Sequence, residues 1–372
     1  MLNNDRINIL FLVILALVVG GFCLAFLPSF SETAGDSEDY DTAAWNLAQG
    51  KGFTFNNEPA KIAPGYSLFL SGIYYVFGHN YLAVKIIQFL LLAAIAVIAY
   101  LLARIFLNFS GCLALFSSLT IVVWPYFVFY PNLIVTEILF TFLLLLSTYF
   151  LLAFQRNPSL KNSLILGVLL GAAALVRVAI LFLPVWLAFF FLVFLKPARE
   201  KSYLLKLALF LAVFLTIFSP WIIRNYLHFD QPIPVYSHVV EKSYVGLPEQ
   251  QTGEASFKTA ALTRLKNVYL FWNPGAGGTN AETLEEAFPI MGILFLIYKA
   301  LFFIVLVLTF WSLKWIKKNQ NVFLLWLIIF YTWTLHTVLW PYPRYTLPII
   351  PLVIILAWFS LRKIAYRNGE KT

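Results

Sequence analysis

Runs of about twenty apolar residues, repeated along almost the whole chain, constrain this protein more than any other feature of its sequence. A helix crosses a bilayer in about 20 mostly apolar residues, and every backbone N–H and C=O must be satisfied within the spanning structure. Eight runs reach or approach that length: 8–28, 81–103, 110–130, 133–154, 204–223, 291–313, 322–340 and 346–361. The stretch from Ser163 to Leu195 is too long for one ordinary helix and reads as two shortened or strongly bent spans meeting near Arg177 to Pro184. The sequence therefore predicts an all-α polytopic membrane protein of about ten transmembrane helices, with two large outer loops at 29–80 and 224–290. Residues 1–361 form a single transmembrane domain in this reading, and 362–372 a short basic tail.

Composition argues against a soluble alternative. Apolar and aromatic residues make up 61% of the chain and charged residues 12%, with a mean hydropathy of +0.82. A soluble core has no room for 37 Phe, 19 Tyr and 11 Trp, whereas a membrane bundle places such rings on its lipid face and at its interfaces. Cys23 and Cys112 both fall inside apolar runs, so neither a disulfide framework nor a thiolate metal cage is read.

Charge orients the spans. With both termini cytoplasmic, the inner segments 1–7, 104–109, 155–162, 196–206, 314–321 and 362–372 hold 15 of the 26 Lys and Arg but 3 of the 17 Asp and Glu. Cytoplasmic loops carry this excess of Lys and Arg. The net charge of +9 is then largely topological, and no nucleic-acid partner is called for. The first span follows Asp5 and Arg6, is longer than a secretory h-region and ends without a clear small-x-small cleavage site, so it is expected to stay as an anchor.

Ionisable groups near hydrocarbon are expensive and mark candidate sites. The stretch GDSEDYDTAAWNLAQGKGF, 35–53, puts Asp36, Glu38, Asp39 and Asp41 together on the outer side. As a short amphipathic helix it stacks Asp36 and Tyr40 at i and i+4, with Gly50 and Gly52 ending it. Either the four acids form a solvated loop, or one does chemistry. Next, APGYSLFLSGIYYVFGHN has too few apolar residues before Gly78 for a span and suggests an interfacial or re-entrant helix. Glu137 opens the span after Pro131; it is paired or functional, or it rests at headgroup level. Arg177 reaches a lipid phosphate from an outer turn, pairs with an acid, or snorkels. Arg224 and Arg344 follow apolar spans on the outer side, where each guanidinium fork suits an anion or anchors at the interface. Lys61 and Lys85 are further cations of the same kind. His79, His228, His238 and His336 have no metal-site spacing. An oxygen-rich divalent site at Asp36 or Glu137 is one option, but no ligand set and no cofactor are assigned. Walker A, dinucleotide-binding and nucleophile-elbow patterns are absent from the sequence.

These residues, taken in order, resemble the GT-C type membrane glycosyltransferases of the dolichyl-phosphate-mannose protein mannosyltransferase and aminoarabinose transferase superfamily. The likeness rests on Asp36 with Tyr40, AWNLAQGKGF, APGYSLFL, Glu137, Arg177 after GAAALV, PWIIRNY at 220–226 and PRYTLPIIP at 343–351. Two departures stand out: Asp36 is followed by Ser37 where some relatives have an Asp-Glu pair, and Lys61-Ile62-Ala63-Pro64 replaces a Lys-Pro-Pro feature. The resemblance implies inverting sugar transfer from an undecaprenyl-phosphate donor to a lipid-linked glycan, cell-wall polymer or protein, on the outer face of a cell (inner) membrane. It implies Asp36 as catalytic base and Glu137 as a second catalytic acid that holds the acceptor, the sugar or an ion. Lys61, Arg177, Arg224 and Arg344 are the implied phosphate contacts, and Tyr40, Tyr66, Trp221 and Tyr345 line the sugar-binding or interfacial part. The alternative is a transporter or flippase of lipid-linked saccharides, with Glu137 and Arg177 lining its path.

Overall fold

The computed structural model describes residues 3–26, 36–56, 58–194, 200–230, 257–273, 290–338 and 342–369; of Asn3, Asp36, 257–264, 290–295 and 367–369 it describes the backbone alone. The chain begins with α1 (Asn3–Phe26), and the short helix α2 (Asp36–Ala48) follows. Gly50 and Gly52 adopt φ of +75° and +82° just after α2, a left-handed turn that glycine makes without strain. A two-residue antiparallel hairpin, β1 (Thr54–Phe55) with β2 (Glu58–Pro59), pairs Thr54 with Pro59. Helix α3 (Pro64–Phe77) starts on Pro64, whose fixed φ suits a first helical turn. It is too short to span, as the sequence suggests.

The bundle proper starts at α4 (Tyr81–Leu101), capped by the Asn80 side chain, which accepts from the Ala83 N–H, and extended by a π-helical turn, Leu102–Phe106. The expected continuous run 110–130 is broken. Helix α5 (Gly111–Val122) and α6 (Pro125–Phe129), continued by a 3-10 turn at Tyr130–Asn132, meet at 61°. Pro125 cannot donate into the preceding turn, so the chain stops and restarts there. Helix α7 (Glu137–Arg156) begins four residues later than the apolar run suggests. The long stretch divides as expected, into α8 (Leu160–Val176), a 3-10 turn at Val178–Ile180, and α9 (Leu183–Phe194).

Helix α10 (Lys201–Phe229) contains Pro220 and ends where Asp230 takes φ of +53°. It runs beside α8 with little space between them: a Cβ on Gly167 would meet the Phe210 carbonyl at 2.7 Å, and one on Gly171 would meet Ile217 Cβ at 2.7 Å. Small residues spaced four apart let two membrane helices touch backbone to side chain. Because Gly167 faces Phe210 and Val213 while Gly171 faces Phe214 and Ile217, the two helices are parallel. The remaining helices are α11 (Phe257–Trp272), α12 (Ile290–Trp311), α13 (Gln320–Val338) and α14 (Ile350–Gly369), the last preceded by a 3-10 segment, Pro343–Ile349. Helix α14 thus carries 362–369 as regular helix. The turn-rich patch 273–280 and most of the second outer loop lie outside the described residues after Asn273.

Among the described residues, seven helices are long and apolar enough to cross a membrane; the bent pair at 111–132 adds an eighth candidate, and α8 and α9 are shorter apolar helices. The windows of α7 and α14 are 67% and 72% buried, against 22% for α1, so the former are central and the latter lines the periphery. Ile7, Leu10, Phe11, Ile14, Val18 and Phe22 of α1 are all exposed. In water that stripe would leave a large apolar surface hydrated, which is unfavourable; in hydrocarbon it is the correct surface.

At one end of the bundle, the turn after α4 receives side chains from both α1 and α14. Tyr100 and Arg104 donate to Asp5 Oδ1 at 2.6 and 3.1 Å, Asn8 donates to the Gly111 carbonyl, and Arg362 donates to the Leu107 carbonyl at 2.9 Å. The first and last described helices therefore begin and finish at the same end. Glu137, Arg177 and the start of the Pro343–Ile349 segment lie at the other.

Candidate active site

Gly65 fixes the entrance to this second end. A Cβ there would meet the backbone of Leu175 and Val176 at 2.6 Å, so only glycine lets α3 sit directly on the end of α8, one residue before Arg177. The next residue, Tyr66, is fully buried and donates to Gln88 Oε1 at 3.1 Å; Gln88 in turn donates to the carbonyls of Pro131 and Leu133 at 3.0 and 2.8 Å. An unpaired buried amide would cost about 1–3 kcal/mol, and this one is satisfied on both sides. The chain Tyr66–Gln88–131/133 thereby ties α3 to the turn that leads into Glu137. Burial first, then the nearby Glu137 charge, pushes the Tyr66 phenol well above its ordinary range, so it stays a donor.

Glu137 opens α7 with 2% exposure. Its Oε1 lies 3.4 Å from Arg177 Nη1, and the Arg177 side chain is 14% exposed. Of the readings open from sequence, pairing is what the structure contains. Helix α8 stops at Val176 because Arg177 turns to extended backbone, φ −142° and ψ 113°, which carries its side chain toward α7. The guanidinium also sits 4.8 Å from the centre of the Tyr345 ring and 5.7 Å from that of Phe140. Arg344 places its guanidinium carbon 5.4 Å from the same Tyr345 ring. Two arginines thus share one phenol, beside one carboxylate. His336 stacks on Tyr345 at 4.5 Å and braces it. Tyr130 lies within the electrostatic reach of Glu137, Arg344 and Arg177 together, and its ring meets Tyr126, which meets Tyr298. The aromatic wall Tyr126, Tyr130 and Tyr298 was not singled out by sequence; one interfacial tyrosine looks like another until the bend at Pro125 gathers them.

Helix α2 covers this end. Ser67 donates to the Tyr40 carbonyl at 3.1 Å, and the Tyr40 and Tyr66 rings meet edge to face at 5.4 Å. Asp36 is the first residue of α2; its side chain lies outside the described atoms. Glu38 is exposed, as a solvated acid should be. Asp41 is not solvated: it is 6% exposed, and both of its oxygens have partners. It accepts from the Tyr74 and Tyr81 hydroxyls, and His79 Nε2 lies 3.0 Å from both of its oxygens. His79 in turn stacks on Trp45 at 4.9 Å. Nothing in the spacing of four clustered acids says which one docks inward; the signal available was the i, i+4 pair Asp41 and Trp45 facing the polar turn His79–Tyr81.

Arg224 is placed by a different set of contacts. It donates to the carbonyls of Ala60 and Phe53 at 2.8 and 3.4 Å and to Asn225 Oδ1 at 2.9 Å, while stacking 4.9 Å from the Trp221 ring. It therefore clamps the hairpin of the first loop, and Lys61, half-buried, follows Ala60 directly. Among the described residues no three His, Cys, Asp or Glu side chains gather as an ion-holding set.

Residues 59–223 match the family model of dolichyl-phosphate-mannose-protein mannosyltransferase. No curated protein matches the sequence. In fold, the chain is similar to ArnT from Cupriavidus metallidurans bound to undecaprenyl phosphate, with a TM-score of 0.65, 16% identity, and coverage of 97% of this chain and 61% of that one. It is also similar to the oligosaccharyltransferase of Archaeoglobus fulgidus in the apo form, with a TM-score of 0.62, 15% identity and coverage of 97% and 52%. The archaeal oligosaccharyltransferase AglB from Archaeoglobus fulgidus, in complex with an inhibitory peptide and a dolichol-phosphate, gives a TM-score of 0.60, 15% identity and coverage of 98% and 51%. The chain thus spans between half and two thirds of the length of these relatives. In the sequence of 59–223, and in fold over nearly its whole length, it resembles the GT-C type membrane glycosyltransferases of the dolichyl-phosphate-mannose protein mannosyltransferase group.

Proposed function

We propose that the chain is an inverting glycosyltransferase that moves a sugar from a polyprenyl-phosphate donor to an acceptor on the non-cytoplasmic side of a cell membrane. One observation carries this reading: a buried carboxylate, Glu137, pairs with Arg177, and Arg177 and Arg344 share the Tyr345 ring. The fold likeness to a protein bound to undecaprenyl phosphate supports a donor of that chemical class.

The reaction makes two demands. The acceptor hydroxyl attacks the anomeric carbon from the face opposite the phosphate, and its proton goes to the Asp36 carboxylate. The bond between the anomeric carbon and the phosphate oxygen breaks, its electron pair stays on that oxygen, and polyprenyl phosphate leaves. Cations answer the growing negative charge. Arg177 and Arg344 would take that part, joined by Lys61 and by those Arg224 N–H groups that the loop carbonyls do not use; a guanidinium has five. Glu137 would hold the acceptor or the sugar while keeping Arg177 in place. Tyr40, Tyr66 and Tyr345 would frame the sugar, which presents both hydroxyls and apolar C–H faces to such rings. The acceptor class would be a lipid-linked glycan, a cell-wall polymer or a protein.

Purified protein in lipid, given a panel of polyprenyl-phosphate sugars and acceptors, should release polyprenyl phosphate together with a glycosylated product. Asp36→Asn should lower kcat by about 10²–10⁴, the usual worth of a positioned general base. Equal turnover by a folded Asp36→Asn protein would remove that residue from the base role. Movement of intact donor across vesicles with no phosphate release would instead support a transporter.

A further inference from the structure

The carboxylate that the structure invests in most heavily on α2 is Asp41, five residues beyond the proposed base. It is buried, and three side chains from three places in the chain converge on it: Tyr74 of α3, His79 of the α3–α4 turn and Tyr81 of α4. His79 is itself wedged, face to face with Trp45 at 4.9 Å and edge to face with Tyr74 and Tyr81 at 4.8 and 5.0 Å. Desolvation, then the bond to Asp41, holds the Tyr74 phenol far above its ordinary range, so it remains a donor to the carboxylate.

A helix turns about 100° per residue, so Asp41 and Trp45 lie about 140° and 180° around the axis from Asp36, and Tyr40 about 40°. The gripped carboxylate and the proposed base therefore stand at different angles on the same helix, so a roll that moves one moves the other. A surface helix docked by apolar contact alone can roll, because burial is non-directional. A carboxylate gripped by three donors cannot roll without losing them. At the radius of a side-chain carboxylate, a roll of about 20° moves the group by roughly 2 Å, while a displacement of about 1 Å is enough to cost on the order of 10²-fold in rate.

We infer that Asp41 is a positioning residue for the transfer: gripped by Tyr74, His79 and Tyr81, it fixes the rotation of α2 and so the placement of Asp36 and Tyr40 over the Glu137–Arg177 pair. This rests on the function proposed above, and it assigns to the first loop's acids a division of labour, one reacting and one setting the angle.

The test compares wild type, Asp41→Asn, His79→Ala and His79→Gln in lipid, reading kcat and donor KM together with backbone hydrogen exchange over 37–48. Asp41→Asn turns one acceptor into a donor facing three donors. It should lower kcat by about 10-fold or more with donor KM changed less than about 2-fold, the split expected when orientation and not binding is lost. Exchange over 37–48 should rise in parallel. His79→Gln keeps an N–H donor and should recover most of the kcat that His79→Ala loses, which a role in bulk packing does not explain. If Asp41→Asn fails to fold, Tyr81→Phe, which removes one donor and leaves the carboxylate, gives the same comparison. A folded Asp41→Asn protein with wild-type kcat would overturn the inference, as would a loss of kcat with unchanged exchange over 37–48. Exchange reads the grip without turnover, so absence of any transfer by wild type would count against the proposed function while the clamp is still decided.

Discussion

Glu137 is 2% exposed at the mouth of a membrane helix, and Arg177 lies 3.4 Å from its carboxylate. Removing one partner of a buried ion pair costs about 3–5 kcal/mol, because the other is left charged and unsolvated. Arg177→Met should therefore lower stability by about that amount, measured as thermal unfolding in detergent, and Glu137→Gln combined with Arg177→Met should recover most of it. Simple additivity of the two single losses would mean that the pair is not coupled. Both residues were legible in the sequence for one reason: charge near hydrocarbon is expensive, so a chain that keeps it has a use for it. Their pairing was not legible, since 40 residues separate them and only the stop of α8 at Val176 turns Arg177 toward α7. That Asp41 is the acid that docks was not legible, for the opposite reason. In an acidic outer loop charge is cheap, and only the packing of α2 shows which acid faces inward.

Among the helices, α8 and α10 show how little tolerance close packing leaves. Gly171→Ala puts a methyl 2.7 Å from Ile217 Cβ and Cγ2, and the resulting overpacking should destabilise by about 1–3 kcal/mol. Gly21→Ala in α1 meets nothing within 4 Å and should be neutral or stabilise by up to about 1 kcal/mol, the gain in helix propensity. The same unfolding assay reads both, and equal effects would remove the close approach as the cause. Hydropathy located these elements well: the run 163–195 divides because no single helix of that length fits a bilayer. It hid the bend at 123–124, where Pro125 lies inside an unbroken apolar run and a window average does not register a missing N–H. It also could not say that α3 rides on α8 through Gly65, a contact that depends on two backbones meeting.

At the scale of the whole molecule, Asp5 and Arg362 both bond the turn between Arg104 and Gly111, so the start of α1 and the later part of α14 lie at one end of the bundle. The exposed Cys112 lies at that face, and the exposed Glu58 in the loop next to the Arg224 clamp, at the other. A membrane-impermeant maleimide added outside oriented cells should label Glu58→Cys and leave Cys112 untouched until the membrane is permeabilised; labelling of both from outside would break the topology. By itself the sequence determined that the chain is a bundle of membrane helices, where most of them run, and which charges are costly enough to matter, because burial in hydrocarbon penalises every exception to the apolar rule. Only the tertiary structure decided which of those charges meet. It paired Glu137 with Arg177, set two arginines around Tyr345, tied Arg224 to the first loop and turned Asp41 inward, because side-chain direction depends on where each helix stops and on what lies against it.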